Sequence, residues 1–144
     1  MGTARSRTLL VVRRDVVAIL ASALWLNASE VWRYFAVVMP ATRRYLAVLP
    51  GVAPMNASVF AIWGLWDTLL LAACLLTTAA VVAARGALRG SAIIGGTLAW
   101  IFFPLFWIAM VNMRLAEPTL LLETLPLSWI EMVVTAALYL RLRR

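Results

Sequence analysis

The run from Asp15 to Met39 is apolar and, at about 25 residues, long enough to cross a bilayer as a helix. Yet Leu24-Trp25-Leu26-Asn27-Ala28-Ser29-Glu30-Val31-Trp32-Arg33-Tyr34-Phe35 places an amide, a carboxylate and a guanidinium near its centre. Each charge at that depth is costly unless it is paired or faces water. Any fold this chain adopts must therefore bring other segments around those groups to shelter them.

The rest of the chain supplies such segments. Apolar residues make up 65% of the 144 and charged ones 13%, against about 45–50% and 25% in a soluble domain. That imbalance predicts an integral membrane protein of a single domain, residues 1–144. The net charge of +7 does not point to nucleic acid, because the basic residues gather at the ends of apolar segments, as positive-inside topology requires. All 13 basic residues are arginine, which with the Ala, Val and Leu bias points to a GC-rich bacterial genome.

Several chemistries are excluded by residue type. Without lysine there is no Schiff base, and without histidine no imidazole ligation of haem or of most catalytic metals. The lone Cys74 rules out an internal disulfide, a CxxC pair or a thiolate-held cluster. No glycine-rich phosphate loop occurs. No cofactor and no metal are expected.

Four spans are predicted, at about 15–39, 56–84, 91–113 and 119–140, with both termini cytoplasmic. Between the first two, residues 40–55 are broken by Pro40, Pro50, Gly51 and Pro54 and read as an interfacial loop on the outer surface. Pro104 predicts a kink in the third span, and the fourth could begin properly at Pro126. The orientation follows from the arginines. Arg5, Arg7, Arg13, Arg14, Arg85, Arg89, Arg141, Arg143 and Arg144 fall on one side, and Arg43, Arg44 and Arg114 on the other. The first span is too long for a signal h-region, and no A-x-A-like site follows it. Met1-Gly2 with Ser6 fits the permissive myristoylation pattern, read here as coincidence in a bacterial chain. Short connections predict an all-α, antiparallel four-helix bundle in the inner or plasma membrane, multi-pass.

At 100° per residue the polar groups fall into stripes. Ala23, Asn27, Glu30 and Tyr34 share a face of the first span, with Arg33 on its flank one turn from Glu30. Asn56, Phe60, Trp63, Asp67, Cys74 and Thr78 share one on the second. Gly96, Trp100, Phe103, Pro104 and Trp107 cluster on the third, and Thr124, Ser128, Glu131 and Thr135 align on the fourth. Lipid offers such groups no hydrogen bonds, so the stripes should face inward around a tryptophan-walled polar pocket toward the outer side.

Each feature has a plainer explanation. Glu30 and Arg33 could pair only to fix helix register, and Asp67 could accept from an indole or from Arg33. Trp25, Trp32 and Trp129 suit an interfacial belt, and Cys74 suits inert core. Even so, three carboxylates and several deep tryptophans exceed what register-fixing requires. The leading expectation is a membrane enzyme that isomerises, cyclises or opens an epoxide in a hydrophobic substrate by carboxylic-acid proton transfer. Asp67, Glu131 and Glu30 are the candidate catalytic groups. Asp67 and Glu131 have no basic neighbour in sequence and are the expected proton carriers, with Glu30 kept ionised by Arg33. Asn27, Arg33, Tyr34, Trp63, Trp100, Trp107 and Ser128 are the candidate substrate-binding residues.

Two alternatives stand beside it. Four spans with Glu30 in the first give an architecture that resembles the small multidrug-resistance exporters, although this chain is longer and no matching motif surrounds Glu30. The resemblance implies proton-coupled transport of hydrophobic or cationic compounds, with Glu30 and Asp67 alternating between proton and substrate. The other alternative is a non-catalytic lipid-binding module or complex subunit. Membrane lipids, a hydrophobic small molecule and further copies of the chain are the expected partners, and nucleic acid is not.

Overall fold

In a computed structural model, residues 2–54, 56–86 and 90–143 are described, with side chains from Val11 onward. Arg89, Arg144, Met1 and the side chains of Arg5, Ser6 and Arg7 lie outside the described residues. The described residues are all helix and connecting turn, without strands.

Four long helical stretches make up the bundle. The first comprises α1 (Gly2–Arg33), a π-helical turn (Tyr34–Val38) and α2 (Met39–Tyr45). The expected stop at Pro40 does not occur. Pro40 occupies the opening turn of α2, where a missing N–H is tolerated. The widened turn before it relieves the clash its ring would make with a regular α-turn.

The second stretch is α3 (Ala57–Arg85). Asn56 caps it by accepting from the Val59 N–H at 3.1 Å and from the Ser58 hydroxyl at 2.7 Å. The third divides into α4 (Ser91–Trp100) and α5 (Phe102–Asn112) at Ile101. Pro104 causes the division, since it has no N–H to give the Trp100 carbonyl, and the next bond, Leu105 N–H to Ile101 O, is stretched to 3.4 Å. The fourth is α6 (Leu120–Arg143), which starts before Pro126 and keeps it as an internal residue. The helices Ala57–Arg85, Ser91–Asn112 and Leu120–Arg143 are each long and apolar enough to cross a membrane.

Packing follows small residues. On α1, Ala18, Ser22, Leu26 and Arg33 are buried, at the spacing of one helical face. That face packs on α6, where the Ser22 hydroxyl donates to the Thr135 carbonyl at 3.3 Å. Gly95 lets α4 meet α3 so closely that a Cβ there would lie 2.4 Å from Thr78 Oγ1 and 2.6 Å from its Cα. A Cβ on Gly96 would lie 2.8 Å from the Met132 carbonyl oxygen and the Val133 Cα of α6. Such small-residue contacts let helix backbones approach where lipid offers no hydrophobic driving force. Earlier in α1, Asp15 accepts from Arg143 of α6 at 2.7 Å, and Arg143 also donates to the Tyr139 hydroxyl.

Candidate functional site

Arg33 closes α1 facing the bundle interior rather than its flank, only 4% exposed. Its Nε donates to both oxygens of Glu131 on α6, at 3.1 and 3.2 Å, and its Nη1 donates to the Thr124 hydroxyl at 2.8 Å. Its Nη2 pairs with Glu30 Oε2, and its face lies 5.2 Å from the centre of the Phe103 ring. Every polar group of this guanidinium thus has a partner within the protein.

Glu131 therefore does have a basic neighbour. The sequence hid it because the two residues are 98 positions apart. Glu131 is 4% exposed and does not line the pocket described below, so its carboxylate acts as the counter-charge that holds Arg33.

In front of Arg33 lies a pocket of about 360 Å³, at the lower end of the range for small-molecule sites. The first helical stretch contributes Asn27, Glu30, Arg33, Tyr34, Phe35 and Thr42. From α3 come Phe60, Trp63, Gly64, Trp66 and Asp67, and from α5 Phe103, Phe106, Trp107 and Met110. Ala53, Pro54 and Leu115 rim it, and Arg43 ties the rim to α2 by donating to the Ala53 carbonyl at 3.1 Å.

The π turn matters to this wall. It begins directly after Arg33 and shifts the register so that Tyr34, Phe35 and Val38 all reach the cavity. Tyr34 meets Trp63 with ring centres 6.4 Å apart, and Phe106 meets both Trp66 and Trp107, at 5.9 and 5.4 Å.

Two carboxylates face this aromatic enclosure. Glu30 gives Oε2 to Arg33, while its Oε1 is buried with no hydrogen-bond partner among the described residues. Asp67 is 6% exposed, and among the described residues no hydrogen bond or ion pair engages its carboxylate. The charges of Glu30 and Arg33 both act on it across the pocket. Asn27 donates its amide to the Ala23 carbonyl at 2.9 Å, leaving its oxygen as a further acceptor.

Trp100 and Ser128 lie elsewhere. The Trp100 indole of α4 donates to the Ser128 hydroxyl at 3.0 Å and to the Leu125 carbonyl at 3.1 Å, clasping α4 to α6 beside Pro126. Trp25 and Trp129 make similar clasps, to the Glu131 carbonyl at 3.2 Å and the Thr97 hydroxyl at 2.9 Å. Trp66 and Phe106, not singled out from the sequence, do line the pocket. Trp66 falls three residues from Trp63, a spacing that could have flagged it.

Among the described residues no group of three His, Cys, Asp or Glu side chains is placed to hold a metal ion. Chemically, the site offers buried acceptors and aromatic faces, with a cation behind them whose three nitrogens are each engaged within the protein. Comparison with family models, curated proteins and solved structures found no match.

Proposed function

We propose that this chain is a small membrane enzyme that transfers a proton from Asp67 to a hydrophobic substrate held in the aromatic pocket. The observation that carries the reading is the contrast between carboxylates. Arg33 holds Glu131 and one oxygen of Glu30, whereas Asp67 meets the cavity with no partner. A general acid must reach the reacting atom, and a carboxyl group already committed to a guanidinium is poorly suited to that role.

In an isomerisation, Asp67 gives its proton to an olefinic carbon and becomes a carboxylate. The carbocation so formed loses a proton from the neighbouring carbon to the Glu30 carboxylate, and the electron pair of that C–H bond forms the new double bond. Glu30 then releases its proton to water and Asp67 takes one from water, which completes the cycle and carries solvent label into the product. In an epoxide opening, the oxirane oxygen takes the Asp67 proton as its C–O bond breaks, and the carbocation left behind loses an adjacent proton to Glu30, the C–H electron pair forming the double bond of an allylic alcohol. The faces of Trp63, Trp66, Phe103 and Trp107 stabilise the positive charge that develops in either case.

The proposal places the protein in a bacterial inner or plasma membrane, with α1–α2 as a fourth span antiparallel to its neighbours. The arginine bias puts both termini in the cytoplasm, and the pocket then opens near the outer face through Thr42, Pro54 and Leu115. Membrane lipids surround it and are a source of substrate.

The reading is tested in D2O. Purified protein in nanodiscs is incubated with a neutral-lipid extract, and products are examined by mass spectrometry. A species that gains one deuterium with the wild type, and not with a Gly64→Leu variant that fills the pocket, is the expected result. Failure of any species to gain label contradicts the proposal.

Proton-coupled exchange of a hydrophobic cation is favoured by one observation, that two carboxylates share the pocket with a single guanidinium. It requires pH-gradient-driven uptake into proteoliposomes that is lost in Glu30→Gln. Uptake indifferent to the gradient rejects it.

A further inference from the structure

The pocket offers almost nothing to an anion. Its one cation, Arg33, spends Nε on Glu131, Nη1 on Thr124 and Nη2 on Glu30, and Phe103 lies over its face. Among the described residues the Asp67 carboxyl meets the cavity without a partner, the Asn27 amide oxygen is a further acceptor, and Glu30 brings a second carboxylate to the wall, whereas the donors that the lining residues Tyr34, Trp63, Trp66 and Trp107 carry are neutral. Glu30, Glu131 and Arg33 together carry one net negative charge when ionised, and Asp67 as a carboxylate adds a second. Either way the site lacks positive charge.

The enclosure compounds this preference. Ring faces attract cations through their quadrupole, and the walls here include Tyr34, Trp63, Trp66, Phe103, Phe106 and Trp107. Asp67 is more than nine-tenths buried, unpartnered among the described residues, and on the pocket wall. A buried carboxylate left in that state is costly unless a proton neutralises it or a donor or cation from outside the chain meets it.

We infer that the pocket is selective for a hydrophobic monocation whose charge sits between Glu30 and Asp67, against aromatic faces. Two sources supply that chemistry: a substituted ammonium that arrives charged, or a carbocation made in place by protonation of an olefin. The second source rests on the proposed enzymatic function, while the binding preference does not. Phosphorylated and carboxylated lipids are disfavoured, because two carboxylates line the pocket and each nitrogen of its one lining cation, Arg33, is engaged within the protein.

The experiment compares three single-chain probes: dodecyltrimethylammonium, dodecanol and dodecyl phosphate. Each is titrated into the protein in zwitterionic nanodiscs and corrected against empty discs, with tryptophan fluorescence as the readout. The expected result is saturable binding of the ammonium at least about tenfold tighter than the alcohol, with no saturable phosphate binding. Glu30→Gln and Asp67→Asn each reduce that preference, and the double variant removes it. Gly64→Leu, whose new side chain projects into open space, weakens all binding without touching the charges. Equal binding of ammonium and alcohol by the wild type overturns the inference, as does a preference that survives in the double variant.

The two sources separate in the same samples. Inhibition of deuterium incorporation by the ammonium, at the concentrations at which it binds, marks the site as one that stabilises a carbocation. Selective binding by a protein that labels nothing instead identifies a stable ammonium as the ligand, and removes the enzymatic reading while leaving the cation site.

Discussion

Arg33 reaches from the end of α1 to Glu131 on α6, its Nε 3.1 Å from one carboxylate oxygen and 3.2 Å from the other. This contact joins the first and last helices and, with Thr124 and Glu30, engages each nitrogen of the guanidinium within the protein. It divides the carboxylates into two that hold Arg33 and one, Asp67, that does not.

Loss of Arg33 should therefore be severe. Arg33→Met leaves Glu30, Glu131 and Thr124 without their partner, and removing one side of a buried ion pair costs about 3–5 kcal/mol. Asp67→Asn removes no bond within the described structure and should be neutral or stabilising. Unfolding in mixed detergent micelles, followed by circular dichroism, ranks the two variants. Equal destabilisation would remove the distinction drawn between these groups.

The glycines of α4 give a second ordering. Gly95→Ala drives a Cβ against Thr78 backbone and side chain, and Gly96→Ala drives one against α6 backbone. Overpacking of this kind costs about 1–3 kcal/mol. Gly64→Ala meets nothing within 4 Å and should stabilise α3 by up to about 1 kcal/mol through helix propensity. The same unfolding assay checks the order.

Trp100→Phe removes the indole donor to Ser128 and Leu125, and should cost about 1 kcal/mol of stability. Because Trp100 and Ser128 stand outside the pocket, ligand binding by this variant should match the wild type once its fold is intact. Weakened binding of the ammonium probe would show that the clasp shapes the cavity.

The last three helical stretches were legible in the sequence because long apolar runs mark them, whereas the first, Gly2 to Tyr45, extends past both of its expected ends. The pocket was partly so. Periodicity alone placed Asn27, Glu30 and Tyr34 on one face of the first helix, and Trp63 with Asp67 on one face of the next. Helical wheels are blind to contacts between elements, so the partnership of Arg33 with Glu131 and Thr124 was hidden, and Glu131 looked free. Ser22, Leu26 and Arg33 repeat at helical spacing, but a charge ending that row disguised it as a flank. Pro40 looked like a stop because nothing in the sequence announces the π turn that lets the helix continue through it. Trp100 shared an inward face with the pocket residues Phe103 and Trp107, and Ser128 one with the buried Glu131, yet the two stand outside the pocket, where they meet each other.

The most direct test of the central claim, that Asp67 delivers the proton, is the initial rate of deuterium incorporation in Asp67→Asn beside the wild type. General acid catalysis by a positioned side chain contributes about 10²–10⁴-fold, so the variant should lose at least about 100-fold while its unfolding midpoint does not fall. Labelling by Asp67→Asn at the wild-type rate would contradict the claim.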